Sequence, residues 1–195
     1  MTWPWAWLRD LPDPLHPGES LYWLTYAVHL GDSPLLPSLF RWGVLDSALT
    51  VLGSAIFISA FLAWLKGMKE GLITHGLYGA VRHPQYLGLI LLSLGISVRS
   101  LRPASFIAWL TLLFGYLTLA SLEERGLLKT YGGRYERYRE ETPFMMPLLK
   151  LRSPQRLSPS GPYRYILLIT VYIFLTIVMM AFLRNFVFAL RSAFQ

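Results

Sequence analysis

The sequence predicts an all-α integral membrane protein with about four transmembrane helices, an N-terminal interfacial segment and a cytoplasmic catalytic region. Three observations carry that prediction. Apolar residues make up 54% of the 195 residues and charged residues only 15%, with a mean hydropathy of +0.42, too oily and charge-poor for an ordinary soluble domain. Three uncharged runs, Ala48–Leu65, Pro103–Leu122 and Tyr165–Leu183, have roughly the length a helix needs to cross about 30 Å of hydrocarbon. The basic residues are distributed unevenly between the loops that join these runs. The length suits one domain. We divide 1–195 into an interfacial segment at 1–42, a catalytic core at 72–147 and a C-terminal transmembrane helix at 163–190.

Taken in order, the first forty residues are aromatic and proline-rich. Trp3, Trp5 and Trp7 alternate with Pro4 and Ala6, as in an interfacial belt. No signal peptide is expected, because Met1–Pro17 is broken by prolines and acids. Leu21–Leu30 is apolar but too short to span, and Pro34 and Pro37 break the chain after it. Ala48–Leu65 is the first span, flanked by Arg41 and Trp42 at one end and by Trp64, Lys66 and Lys69 at the other. Gly67 to Gln85 is a polar loop. Tyr86–Val98 is short and spans only if Pro84–Gln85 and a snorkelling Arg99 or Arg102 extend it. Arg99–Pro103 is a tight turn, so the flanking segments form an antiparallel helical hairpin. Glu123 to Tyr163 is basic and aromatic, Gly132-Gly133 bends or breaks it, and Ser153–Pro162 reads as a linker.

Orientation follows from the Lys and Arg counts. The loops at 66–85 and 122–164 hold twelve of the eighteen and the opposite side holds six, which places the two polar loops in the cytoplasm and both termini outside. The formal charge of +7 is read as a basic face toward anionic lipid, not as a nucleic-acid surface. With no cysteine, disulfides, thiol catalysis and Cys-ligated metal centres are excluded. His16, His29 and His75 show no metal-ligand spacing, and no metal is expected. The absence of alternating strands excludes a Rossmann enzyme.

The chain is organised around Gly76–Gly88, where a charged loop meets an apolar helix. Pro84 suits the first helical turn, which puts His83 near the N-cap. A helix start beside Arg82 and His83 is a ready site for a carboxylate or phosphate. The second polar element, Glu123-Glu124-Arg125, ends a long uncharged span. Ionisable groups there are costly and usually have a partner. The partner is Arg82, brought near by the hairpin, or a cationic ligand group; the plainer alternative is interface charge at a helix end. Tyr131, Tyr135 and Tyr138 share one helical face among Arg134, Arg137 and Arg139, read as an amphipathic helix with tyrosines toward the protein.

In order, Gly76-x-Tyr78-x3-Arg82-His83-Pro84-x-Tyr86-x-Gly88, a hairpin, then Glu123-Glu124-x2-Leu127-x3-Tyr131-Gly132-x2-Tyr135-x2-Tyr138 with Pro143 and Pro147, resemble the membrane-embedded isoprenylcysteine carboxyl methyltransferase and phospholipid N-methyltransferase superfamily. The resemblance covers about Leu72 to Pro147. It implies a helical membrane enzyme that uses S-adenosylmethionine and a lipophilic or small acceptor met in the bilayer. Carried over residue by residue, it puts Tyr78, Arg82, His83, Pro84 and Tyr86 around the cofactor, makes Glu123 and Glu124 candidates for its ammonium group, and makes His83, Glu124 and Arg82 the catalytic candidates. The bottom-up reading agrees on charge: a helix start with Arg82 and His83 suits a carboxylate, a glutamate suits an ammonium, and tyrosine faces suit adenine or a sulfonium.

The stretch Tyr116–Leu122 is uncharged, whereas the eukaryotic carboxyl methyltransferases carry a basic residue just before the acidic pair. The later stretch also looks like bacterial thiol S-methyltransferases of the same superfamily, so a thiol and a phospholipid amine stand beside a carboxylate as acceptors. From other classes, an NADPH-dependent sterol-type reductase and a non-catalytic membrane scaffold are the alternatives.

Overall fold

The computed structural model describes residues 20–26, 43–67, 71–146 and 162–193. Among these the regular structure is helical throughout: α1 (Val44–Gly67), a single turn α2 (Leu77–Ala80), α3 (Pro84–Ser100), α4 (Pro103–Tyr131), α5 (Gly133–Glu141) and α6 (Pro162–Ala193). Most of the expected interfacial segment at 1–42, the linker at 153–162 and Pro147 lie outside the described residues, Pro162 apart; so do His16 and His29. Within 1–42, a 3-10 turn at Tyr22–Thr25 buries Trp23 beside α4 and α6.

Among the described residues three helices are long and apolar enough to cross a membrane: Val44–Gly67, Pro103–Tyr131 and the Tyr163–Val187 part of α6. The chain is an integral membrane protein of all-α class. Helix α3 has 17 residues, about 26 Å at 1.5 Å per residue, and is the shortest of the bundle helices. It begins at Pro84, as its reach requires. At its far end Arg99 turns back to α1, where its Nε donates to Asp46 Oδ2 at 2.7 Å. Asp46 is fully buried and also accepts from the Gly43 amide at 2.7 Å.

Helices α1 and α3 run antiparallel in backbone contact. A Cβ on Gly88 would lie 2.6 Å from the Phe57 nitrogen, and one on Gly53 would strike the Leu92 amide. In lipid no hydrophobic force draws helices together, so close packing of small residues carries the association. Helix α3 ends in a left-handed Leu101 (φ 49°), whose amide donates to Ser97 O at 3.0 Å, and Pro103 opens α4. The expected tight hairpin follows, and Trp109 Nε1 on α4 donates to Ile90 O on α3 at 3.1 Å. Helix α6 packs on α4, with the Tyr172 hydroxyl 3.1 Å from Thr111 Oγ1.

Gly132, at φ 52°, separates α4 from α5. The expected tyrosine stripe is therefore cut: Tyr131 ends α4, while Tyr135 and Tyr138 are buried on α5 and Arg134 and Arg137 are exposed. The tyrosines face the protein as expected; the single continuous helix does not form, because Gly132 takes a backbone conformation that a side chain would resist.

Candidate active site

The turn that opens α3 is held from two directions. Gly76 takes φ 62°, Leu77–Ala80 makes one helical turn, Val81 is extended, and His83 occupies the N-cap with Pro84 as the first helical residue. The Arg82 amide donates to Pro143 O at 3.0 Å. The Tyr138 hydroxyl donates to Tyr78 O at 2.5 Å. Helix α5 and the segment after it thus clamp the Arg-His-Pro turn against the bundle.

Opposite this turn, α4 presents the two acids. Consecutive helical residues point about 100° apart, so the pair divides. Glu124 faces inward, with a side chain 1% exposed; Glu123 is 54% exposed. Glu124 Oε1 accepts from Arg82 Nη1 in a short ion pair and lies 3.4 Å from His83 Nε2, while Oε2 lies 3.9 Å from Arg164 Nη1 on α6. Glu123 accepts a 2.8 Å hydrogen bond from the Tyr86 hydroxyl and has Oε2 3.6 Å from His83 Nδ1. The imidazole therefore stands between both carboxylates. Phe144 packs into the cluster, with the Arg82 and Arg164 guanidinia 5.3 and 5.1 Å from its ring centroid and the His83 ring edge-on at 5.0 Å.

These surroundings shift the titration of the loop groups. Burial pushes the His83 pKa down, but its hydrogen bonds to Glu123 and Glu124 and their negative charge outweigh that, so the imidazole holds its proton above its usual range. Burial and the Glu123 charge push the Tyr78 hydroxyl up to about 12. It stays neutral near pH 7.

An open cavity of about 370 Å³ adjoins this cluster, within the size of small-molecule sites. Of the seven residues expected around the cofactor, Tyr78, Arg82, His83, Pro84, Tyr86 and Glu123 border it, and Glu124 stands behind them. Two buried donors here, Arg82 Nε and Gln85 Nε2, make no hydrogen bond within the protein. Buried donors without partners are costly, and both belong to residues that border the cavity. The donor set, the exposed Glu123 carboxylate and the tyrosine faces fit an amino-acid-bearing nucleoside such as S-adenosylmethionine.

Sequence reasoning missed four contributors. Gln85 sat unread inside the motif, although its amide is a signal of its own. Trp64, named only as a flank of the first span, borders the cavity. Phe144 and Arg164 reach the cluster from beyond α5. Arg164, the first charge before a long apolar run, was counted only as a loop cation.

Comparison with known proteins gives a likeness for part of the chain. Residues 44–134 match the family model described as phospholipid methyltransferase. A probable protein-S-isoprenylcysteine O-methyltransferase of Oryza sativa subsp. japonica is 31% identical over 83 residues, 42% of this chain and 44% of the relative. Protein-S-isoprenylcysteine O-methyltransferase A of Arabidopsis thaliana is 31% identical over 81 residues, 41% of each chain. The Schizosaccharomyces pombe protein-S-isoprenylcysteine O-methyltransferase is 32% identical over 79 residues, 40% of this chain and 34% of the relative. The chain thus spans less than half the length of the curated relatives it matches. No solved structure matches.

Proposed function

We propose that this chain, whose residues 44–134 match the phospholipid methyltransferase family model and which is similar to protein-S-isoprenylcysteine O-methyltransferases, is an S-adenosylmethionine-dependent methyltransferase acting on a lipophilic or small acceptor. One observation carries the reading. Two motifs 35 or more residues apart converge on one cavity, with the Arg82 guanidinium on one side and a half-exposed carboxylate on the other. That is the charge pattern of an amino-acid moiety, carboxylate to Arg82 and ammonium to Glu123.

Within this reading Glu123, not Glu124, meets the ammonium, because Glu124 is already shared among Arg82, His83 and Arg164. Glu124 orients Arg82 and His83. Tyr78 and Tyr86 offer ring faces to the nucleoside, and Tyr86 is itself steadied by stacking on Tyr116 at 5.5 Å. S-adenosylmethionine supplies a methyl group already activated by its sulfonium. The protein's work is alignment and exclusion of water. A carboxylate acceptor needs no base. For a thiol or amine acceptor, the fraction of His83 that is deprotonated takes the proton, a fraction that grows as pH rises, with Glu123 and Glu124 stabilising the imidazolium. The site faces the cytoplasm, the side that carries the excess of Lys and Arg.

Thermal melting of the detergent-solubilised protein with S-adenosylhomocysteine and, separately, with NADPH tests the class. A rise with the first alone is expected. A rise with NADPH alone makes it a reductase, and a rise with neither removes the cofactor site. Incubation with methyl-labelled S-adenosylmethionine and a membrane extract then identifies the acceptor by its label.

A further inference from the structure

Helix α6 lies outside the matched residues 44–134, yet it delivers a cation to the heart of the site. Glu124 is one buried carboxylate facing two permanent guanidinia: Arg82 on Oε1, and Arg164 3.9 Å from Oε2. Both guanidinia also flank the Phe144 ring, at 5.3 and 5.1 Å, so their positions are linked. Glu123 directs its oxygens to Tyr86 and His83. The Arg82–Glu124–Arg164 cluster therefore carries one positive charge more than it can neutralise internally. Arg82 borders the cavity, Arg164 is not among the described residues that do, and Arg82 Nε is buried without a partner. A buried charge without compensation is costly, and the cavity is where an anion can supply it.

We propose that Arg164 is a positioning residue: by taking a share of Glu124 it leaves Arg82 with uncompensated positive charge, which the cavity offers to a carboxylate of the ligand. This rests on the methyltransferase reading and assigns α6 a role in that site, as the element that sets its anion preference. Without Arg164, Glu124 would compensate Arg82 more completely and the pull on an anion would fall.

The test compares S-adenosylhomocysteine with its decarboxylated analogue, which lacks only the α-carboxylate, by calorimetry on the detergent-solubilised full chain. The comparison is made at neutral and at alkaline pH, because a proton taken up by His83 would stand in for the lost cation. The wild type should prefer the carboxylate ligand by about tenfold or more. Arg164→Gln should cut that preference by at least about threefold, and Arg164→Lys should keep it. Should Arg164→Gln not fold, Arg164→Met, which keeps the packing on Phe144, takes its place. The ratio of two affinities in one sample does not depend on the fraction folded, so general damage cannot imitate the effect. Unchanged preference in the neutral variant, or equal weakening of both ligands, overturns the role of Arg164. A wild type that binds S-adenosylhomocysteine without preferring it also overturns this proposal but leaves the function standing. A wild type that binds neither ligand removes both.

Discussion

Arg82 and Glu124, 42 residues apart in sequence, meet as a buried ion pair in which the guanidinium caps a carboxylate 1% exposed. The contact joins the turn before α3 to the C-terminal part of α4, and everything proposed for the site depends on it. Removing one member of a buried pair strands the other charge, which costs about 3–5 kcal/mol. Glu124→Ala strands two guanidinia and should lower thermal stability by an amount of that order, whether or not cofactor is present. An unaltered melting temperature would show that Glu124 is not holding the cluster together.

Glu123 should behave differently. Its side chain is 54% exposed and borders the cavity, so Glu123→Gln should melt close to the wild type. The same change should weaken S-adenosylhomocysteine by about tenfold, or about 1.4 kcal/mol, through loss of a charge-assisted contact. Calorimetry on both glutamate variants separates the roles. Equal affinity in Glu123→Gln and wild type would move the ammonium elsewhere.

His83 predicts a pH dependence. Its proton is held more tightly in the folded protein than in the unfolded chain, because the two carboxylates outweigh the effect of burial. Its contribution to stability is therefore complete below the ordinary histidine value of about 6.5 and fades as pH rises through the raised folded value. The melting-temperature gap between wild type and His83→Gln should be widest on the acid side of that window, where the carboxylates are still ionised, and should narrow toward alkaline pH. A gap that grows with pH contradicts the charged-state pairing.

The α1–α3 seam gives a purely structural prediction. A methyl on Gly88 would lie 2.6 Å from the Phe57 backbone nitrogen. Gly88→Ala should force the helices apart and cost about 1–3 kcal/mol. Gly115→Ala on α4, where an added Cβ meets nothing within 4 Å, is the control and should be neutral or slightly stabilising. Denaturation in detergent compares the two, and equal effects would place the seam elsewhere.

Several features were readable from residue order because they are local. Uncharged length marks α1, α4 and α6 as spans, since a charge in hydrocarbon is costly wherever the helix packs. Pro84 marks the start of α3 through its fixed φ, and Pro103 marks that of α4. The Arg82–Glu124 approach was anticipated because a tight turn at Arg99–Pro103 brings the two ends of a hairpin together. The buried Asp46–Arg99 pair was not anticipated, because it needs the register of α1 on α3, which Gly53 and Gly88 set by backbone contact. The cut at Gly132 was only half read, since glycine permits a break without requiring one.

By itself the sequence determined a helical membrane protein, the places of its three long spans and a polar cluster built from two motifs; these follow from hydropathy and proline and glycine geometry, which act over a few residues. Only the tertiary structure decided which glutamate turns inward, that Arg164 and Phe144 join the cluster, and that Gln85 borders the cavity. Those outcomes depend on helix rotation and register, and these are settled by packing between segments far apart in the chain.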